Sequence, residues 1–350
     1  MKSILITGGA GFVGSHISLM LIEQGYKIFI IDNLINSSNK TIEILNTFSI
    51  KNKQGIDNLS FIKGDIRNED LMRKVFEIAR ANKTPIDNVI HLASLKQVLE
   101  SQKKPITYWE NNLIGTINLL KIMKEFNCKN IIFSSSATVY SPESHSPIKE
   151  DSKLNPINTY GETKLAIEKL LCNLKSDIQV GWKVAILRYF NPIGAHPSGL
   201  IGENPLGNPT NLFPIICNVA AKRKDVLEIF GKDWGTKDGT CVRDYVHIMD
   251  IAEGHLSSLN YLNKKAPDNS NITINLGTGE GTSVLDLIKT FEKVNNLEIK
   301  KVFTIRRVGD NGISFADVEK AKKMLNWIAK RSLENMCFDG WNYIQKNFNL

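Results

Sequence analysis

The sequence predicts an α/β chain, a doubly wound parallel sheet followed by a smaller lobe of mixed α/β structure. Three observations predict it. Short β-branched runs alternate with longer amphipathic stretches through the first half, as parallel strands joined by crossover helices do. A glycine-rich turn, Gly8-Gly9-Ala10-Gly11-Phe12-Val13-Gly14, stands directly after the first apolar run. Near Tyr189 the character changes, and Asn191-Pro192, His196-Pro197, Asn204-Pro205 and Asn208-Pro209 follow in quick succession. At 350 residues the chain also exceeds what one ordinary core covers. The expected division is therefore 1–188 and 189–350, with some segments crossing back.

Taken in order, the candidate strands are 3–7, 27–31, 59–62, 88–92, 130–134 and 183–187, each a β-branched run. The second lobe carries candidate helices at 248–262, 283–295 and 315–325 and shows no internal repeat. The net charge of +8 raises the question of a nucleic-acid or membrane surface. The basic runs Lys222-Arg223-Lys224 and 320–323 are short and lack interleaved aromatics, so neither nucleic acid nor membrane is expected as a partner. Five scattered cysteines (Cys128, Cys172, Cys217, Cys241, Cys337) form no Cys-x-x-Cys pair, which fits reduced thiols in the cytoplasm. The histidines show no metal-ligand spacing and no Gly-x-Ser-x-Gly elbow is present, so no metal and no serine-hydrolase chemistry is expected. The apolar run Ile4-Leu5-Ile6 stops at Thr7, far short of a signal-peptide core or a membrane span.

The glycine turn follows the first strand and opens the first helix, the context in which Gly-x-Gly-x-x-Gly binds a dinucleotide. Missing side chains let the backbone approach a pyrophosphate, whose charge meets the free N–H groups of the helix start. The next strand ends in Asp32, 18 residues beyond Gly14, where a ribose-binding acid belongs. A carboxylate there repels a 2′-phosphate, and Asn33-Leu34 offers no arginine, so the expected cofactor is NAD on a Rossmann-type sheet.

Tyr160 and Lys164 are four residues apart, on one face if the segment is helical. Thr159-x-x-Glu162 reads as a capping box, which places Tyr160 in the first turn. There the helix dipole and the Lys164 ammonium are both expected to lower the pKa of the phenol. A base useful at neutral pH needs a fall of about 3 from the free value, roughly 4 kcal/mol. Ser134-Ser135-Ser136 closes the strand at 130–134 at the edge where ligands of such sheets gather.

Residues 7–14, Phe133-Ser134-Ser135-Ser136-Ala137-Thr138-Val139-Tyr140 and Tyr160-x-x-x-Lys164 together resemble the extended short-chain dehydrogenase/reductase family. Downstream, residues 187–199 (Leu-Arg-Tyr-Phe-Asn-Pro-Ile-Gly-Ala-His-Pro-Ser-Gly) and 238–247 look like the substrate-lobe signatures of UDP-glucose 4-epimerases. The resemblance implies that Gly8, Gly11, Phe12, Val13 and Gly14 line the NAD pyrophosphate, Asp32 and Asn33 the adenosine ribose, and Asp65 and Ile66 the adenine. It implies Leu92, Ala93, Lys96, Asn111, Tyr189 and Phe190 as further cofactor neighbours. Ser136 would bind the sugar hydroxyl, Tyr160 would be the acid/base, and Lys164 would hold the nicotinamide ribose while tuning Tyr160. For UDP the matching positions are Asn191, Asn211, Leu212, Phe230, Arg243, Arg307 and Asp310, and guanidinium forks suit a diphosphate.

The implied reaction inverts C4 of a UDP-hexose: Tyr160 takes the C4 hydroxyl proton as C4 passes hydride to NAD, and the 4-keto sugar turns over to receive it on the other face. Where many family members carry tyrosine this chain has Ser314, which implies room for a C2 N-acetyl group. A nucleotide-sugar 4,6-dehydratase also fits the fold, but its acid normally follows the active-site serine or threonine directly, and here Ala137 and Thr138 do. A catalytically silent NAD-binding regulator would have no use for Ser136, Tyr160 and Lys164 together. The family implies a homodimer packed through 105–126 and 158–174.

Overall fold

The computed structural model describes residues 2–51, 58–207, 209–307 and 309–348; Asn208 of the fourth proline pair lies outside the described residues. Two compact units emerge, each discontinuous in sequence. The first comprises Met1–Val139, Pro156–Arg188 and Ala252–Ile274, the second Tyr140–Asn155, Tyr189–Ile251 and Asn275–Leu350.

The first unit is organised by β1 (Ser3–Thr7), β2 (Lys27–Asp32), β3 (Leu59–Lys63), β4 (Ile86–His91), β5 (Asn130–Ser136) and β6 (Lys183–Tyr189). With the strand Ser270–Leu276 they form a seven-stranded sheet whose order runs β3-β2-β1-β4-β5-β6 and then Ser270–Leu276. The registers across β3, β2, β1, β4 and β5 are all parallel. Such strands are buried on both faces and read as continuous apolar runs, and every residue of β1 and β2 is buried. Strand order reverses between β1 and β4, and ligands of open α/β sheets bind beyond the carboxyl ends of strands at that point.

The helices obey the same local rules. Asn68 caps Glu69–Ala81 by accepting the Leu71 N–H, and Met72, Val75, Phe76 and Ala79 recur at three and four residues to bury one stripe. They join Phe29, Phe133 and Trp182 in the core of this unit. The second unit has its own core, where Phe213, Phe291 and Trp341 pack edge to face at 6.0 and 5.9 Å between centroids. Its strands are short and mixed in sense. Asn191–Ile193 pairs parallel with Tyr245–His247, and Val242–Arg243 pairs antiparallel with Thr282–Ser283 and parallel with Ile313–Ser314. Among the described residues no helix is long and apolar enough to cross a membrane, and no three His, Cys, Asp or Glu side chains gather as a metal site.

Candidate active site

The turn after β1 is glycine-rich for two separable reasons. Gly8 has φ +73°, and a Cβ there would lie 2.8 Å from the backbone nitrogen of Ala93; one on Gly14 would lie 2.3 Å from the Gly8 carbonyl oxygen. Backbone already fills both spaces, so no side chain fits. Gly11 differs: its φ of −72° and ψ of 175° suit any residue, and an added Cβ would meet only the Gly8 carbonyl, at 3.3 Å. The bareness of Gly11 leaves the turn open just where the helix Phe12–Glu23 begins. That helix has no side-chain cap and no acid in its first turn, so its N–H groups form a cradle for an anion. A dinucleotide pyrophosphate fits it. Phe12 and Val13 are half-buried beside it, and Leu92 and Ala93 both give their N–H groups to the Thr7 hydroxyl at 3.3 Å.

Asp32 ends β2 with its carboxylate built into the turn. It accepts the Ala10 N–H at 3.0 Å, and the Leu34 N–H and Ser37 hydroxyl at 2.9 Å each. A carboxylate has about four acceptor directions, so capacity for a ribose hydroxyl is left. Asn33 donates to Asp65 at 3.3 Å, which ties the ends of β2 and β3 together. Arg67 forks onto Asp65 at 2.9 and 2.8 Å, and these charge-assisted hydrogen bonds hold the Asp65 carboxyl down at about 2. Ile66 is buried against Gly115. Asn111 is buried on the π-helical turn Trp109–Ile114, an irregularity frequent at functional sites. Lys96 lies in the loop after β4.

The catalytic candidates come together in the first unit. Tyr160 stands in the first turn of the helix Thr159–Asn173, and its N–H is accepted by the Ser101 hydroxyl at 3.1 Å. Ser136, the last residue of β5, accepts the Thr138 hydroxyl at 3.0 Å and neighbours the Tyr160 phenol, where it favours the ionised form. Lys164 is 2% exposed. Its Nζ donates to the Ser134 carbonyl at 2.8 Å and lies 5.7 Å from the Tyr160 ring centroid.

In the second unit Arg307 stacks over the Phe230 ring at 4.2 Å, and Arg243 reaches Asp310 at 4.0 Å. Ser314 is in register with Arg243 on the adjoining strand. Asn211 is the N-cap of Leu212–Ala220, with no hydrogen bond from its side chain to that helix. Tyr189 and Phe190 are buried, while Asn191 is exposed.

A family model described as GDP-mannose 4,6 dehydratase matches residues 5–339. The UDP-glucose 4-epimerase of Bacillus subtilis (strain 168) is 47% identical over 348 residues, 99% of this chain and 98% of that protein. A UDP-glucose 4-epimerase from Stenotrophomonas maltophila, solved with bound NAD and formylated UDP-arabinopyranose, superposes with a TM-score of 0.92 at 40% identity, covering 99% of this chain and 98% of that one. The UDP-Glc/GlcNAc 4-epimerase of Campylobacter jejuni superposes at 0.82 with 32% identity, covering 99% and 100%. The chain belongs to the UDP-glucose 4-epimerase family.

Three details of this epimerase-family site differ from the sequence reading or were missed by it. The helix is capped by Asn158, whose side chain accepts the Gly161 N–H at 2.9 Å; Thr159 is already helical, so the expected capping box does not form. The phenol also moves opposite to expectation. Burial pushes Tyr160 up to about 12, with the neighbouring Ser136 opposing, and burial also brings Lys164 down to about 7, so desolvation draws both groups toward their neutral forms. The clamps were missed altogether. Asn112 binds Leu95 through both backbone groups, at 2.8 and 3.1 Å, and donates to Thr163 at 3.0 Å. Asp244 accepts the N–H groups of Thr278, Gly279 and Ala316 and holds Ser314 through its own N–H at 3.1 Å. Neighbouring motif residues were the only signal for either.

Proposed function

We propose that this protein interconverts UDP-glucose and UDP-galactose by oxidising C4, letting the 4-keto sugar turn over, and reducing it on the opposite face, with NAD as its cofactor. The observation that carries this reading is Tyr160 in the first turn of its helix, one turn before a buried Lys164 whose Nζ lies 5.7 Å from its ring, in a chain whose relatives are named for that activity. NAD supplies the hydride acceptor and donor at C4. Gly8, Gly11, Phe12, Val13 and Gly14 hold its pyrophosphate, Asp32 and Asn33 the ribose, Asp65 and Ile66 the adenine, and Leu92, Ala93, Lys96, Asn111, Tyr189 and Phe190 the remainder. Asn191, Asn211, Leu212, Phe230, Arg243, Arg307 and Asp310 are assigned to UDP.

Tyr160 takes the C4 hydroxyl proton as the C=O bond forms and returns it when the bond is reduced, so its phenol must be ionised at the start. In the chain alone it is protonated at neutral pH. Ionisation therefore depends on positive charge beside it, from protonated Lys164 and the oxidised cofactor. Ser136 orients the same sugar oxygen. A dehydratase needs an acid to expel the C6 hydroxyl, whereas Ser136 is followed by Ala137 and by Thr138, which donates back to it. Replacing Tyr160 with phenylalanine lowers conversion of UDP-galactose to UDP-glucose by about 10²–10⁴-fold, the range for losing a general acid–base group. Wild-type turnover in Tyr160→Phe, or a 4-keto-6-deoxy product from the native protein, overturns the reading.

Ser314 extends the substrate range to UDP-N-acetylhexosamines. It lies directly beside Arg243 in the strand register, a serine there leaves space that a tyrosine fills, and the Campylobacter relative is a UDP-Glc/GlcNAc 4-epimerase. Ser314→Tyr should abolish N-acetylhexosamine turnover and spare the plain hexoses; equal N-acetyl activity in the two proteins refutes it. We place the protein in the cytoplasm, on the strength of its five free thiols. We also assign it a homodimer through 105–126 and 158–174, where Ile106 is 73% exposed and Ile114, with Ile157 just before the second segment, is also exposed.

A further inference from the structure

Strand β5 ends in three serines, and each meets a different residue of the helix Thr159–Asn173. The Ser136 hydroxyl neighbours Tyr160, the Ser134 carbonyl accepts Lys164, and the Ser135 hydroxyl donates to Glu168 Oε1. Tyr160, Lys164 and Glu168 are four residues apart and form one stripe. The first two belong to the reaction. Glu168 has no part in it, yet its side chain is 4% exposed and is gripped by the equally buried Arg188, Nε to Oε1 at 3.0 Å and NH2 to Oε2 at 2.6 Å. A buried ion pair of this kind gives little net stability over an apolar pair of similar volume, so its presence asks for another use.

We propose that Glu168, clamped by Arg188 and Ser135, is a positioning residue: its buried negative charge keeps the Lys164 ammonium charged and in place beside Tyr160. The inference rests on the roles given to Tyr160 and Lys164 above. Lys164 is 2% exposed; its Nζ faces the Phe133 ring at 4.8 Å and the Tyr160 ring at 5.7 Å, whose attraction for a cation does not replace the water it has lost. Burial lowers its pKa, and the charge of Glu168 opposes that fall. The other titratable groups nearby supply no anion at neutral pH. His91 on β4 is driven down to about 3 by burial and by the Lys164 charge and is neutral. Tyr160 is protonated in the chain alone, the Cys172 thiol is pushed up by burial and by Glu168, and Arg188 is a cation spent on both oxygens of Glu168.

The sign follows directly. Lysine is charged below its pKa, so removing the carboxylate moves the loss of charge to lower pH and strips Lys164 of its proton at pH 7. The test is Glu168→Gln in the NAD-loaded protein, with ε-¹³C-lysine NMR titration and the pH profile of kcat; Lys164→Met assigns the resonance. The expected result is a Lys164 midpoint lower by about one pH unit, an alkaline limb of kcat shifted with it, and recovery of both in Glu168→Asp. Where Gln alone leaves Arg188 without its carboxylate and the chain unfolded, Glu168→Gln/Arg188→Met is used instead; it also removes a cation that opposes Lys164 protonation, so its midpoint falls in the same direction by less. An unchanged midpoint in whichever variant folds overturns the inference, and so does failure of both to fold, which would make the pair a brace. The NMR midpoint is independent of the epimerase assay, so either reading can fail without the other.

Discussion

At the scale of single residues, Gly11 and Gly14 make opposite predictions although both belong to one motif. A methyl group on Gly14 would overlap the Gly8 carbonyl at 2.3 Å, whereas one on Gly11 meets it at 3.3 Å in ordinary backbone geometry. Gly14→Ala is therefore expected to lower the melting temperature, and Gly11→Ala to leave melting nearly unchanged while weakening NAD binding by about tenfold, roughly 1.4 kcal/mol. Thermal melts beside NAD titrations decide it, and equal effects of the two changes on both readouts would discard the distinction. The glycine spacing was legible in the sequence because it is local. Which glycine answers to the protein and which to a ligand was not, since Ala93, which crowds Gly8, is 85 residues away in the chain. The phenol of Tyr160 teaches the same lesson. Its neighbour at four residues could be read off the chain, but its protonation depends on burial.

At the scale of elements, the helix Thr159–Asn173 shows how a cap positions chemistry. Asn158 adopts extended geometry and accepts the Gly161 N–H, one of the donors that a helix start leaves unpaired. With Ser101 accepting the Tyr160 N–H, the first turn is held from both sides. Asn158→Ala should cost about 1 kcal/mol of stability and lower turnover as well, since the cap adjoins the turn that carries Tyr160; Asn158→Asp should restore both. Denaturant melts and steady-state assays measure the pair, and full activity at reduced stability would separate the cap from the chemistry. Thr159-x-x-Glu162 has the capping-box letters, yet the neighbour wins, because Asn caps at least as well as Thr and the helix begins one residue earlier than the motif suggests. The edge strand Ser270–Leu276 went unread for a related reason. It lies far along the chain from the βα repeats that identify the sheet, and only its pairing assigns it there.

At the scale of the whole molecule, the exposed apolar residues of 105–126 carry the oligomer prediction. Ile106→Glu, at a side chain already 73% exposed, is expected to turn a dimer into a monomer in light scattering without unfolding it; a wild-type monomer at micromolar concentration would end the proposal. By itself the sequence determined the α/β class, the glycine-rich turn, the Tyr160–Lys164 spacing and the family, because each is written in spacings of a few residues that set φ, helix face and strand end. The tertiary structure alone decided that residues 140–155 go with the second unit and 252–274 with the first. It alone gave the three serines their separate partners and made Asn112 and Asp244 clamps. It also set the resting protonation of Tyr160 and Lys164, because desolvation and hydrogen bonding depend on atoms brought together from distant parts of the chain, and no local spacing encodes how dry a side chain becomes.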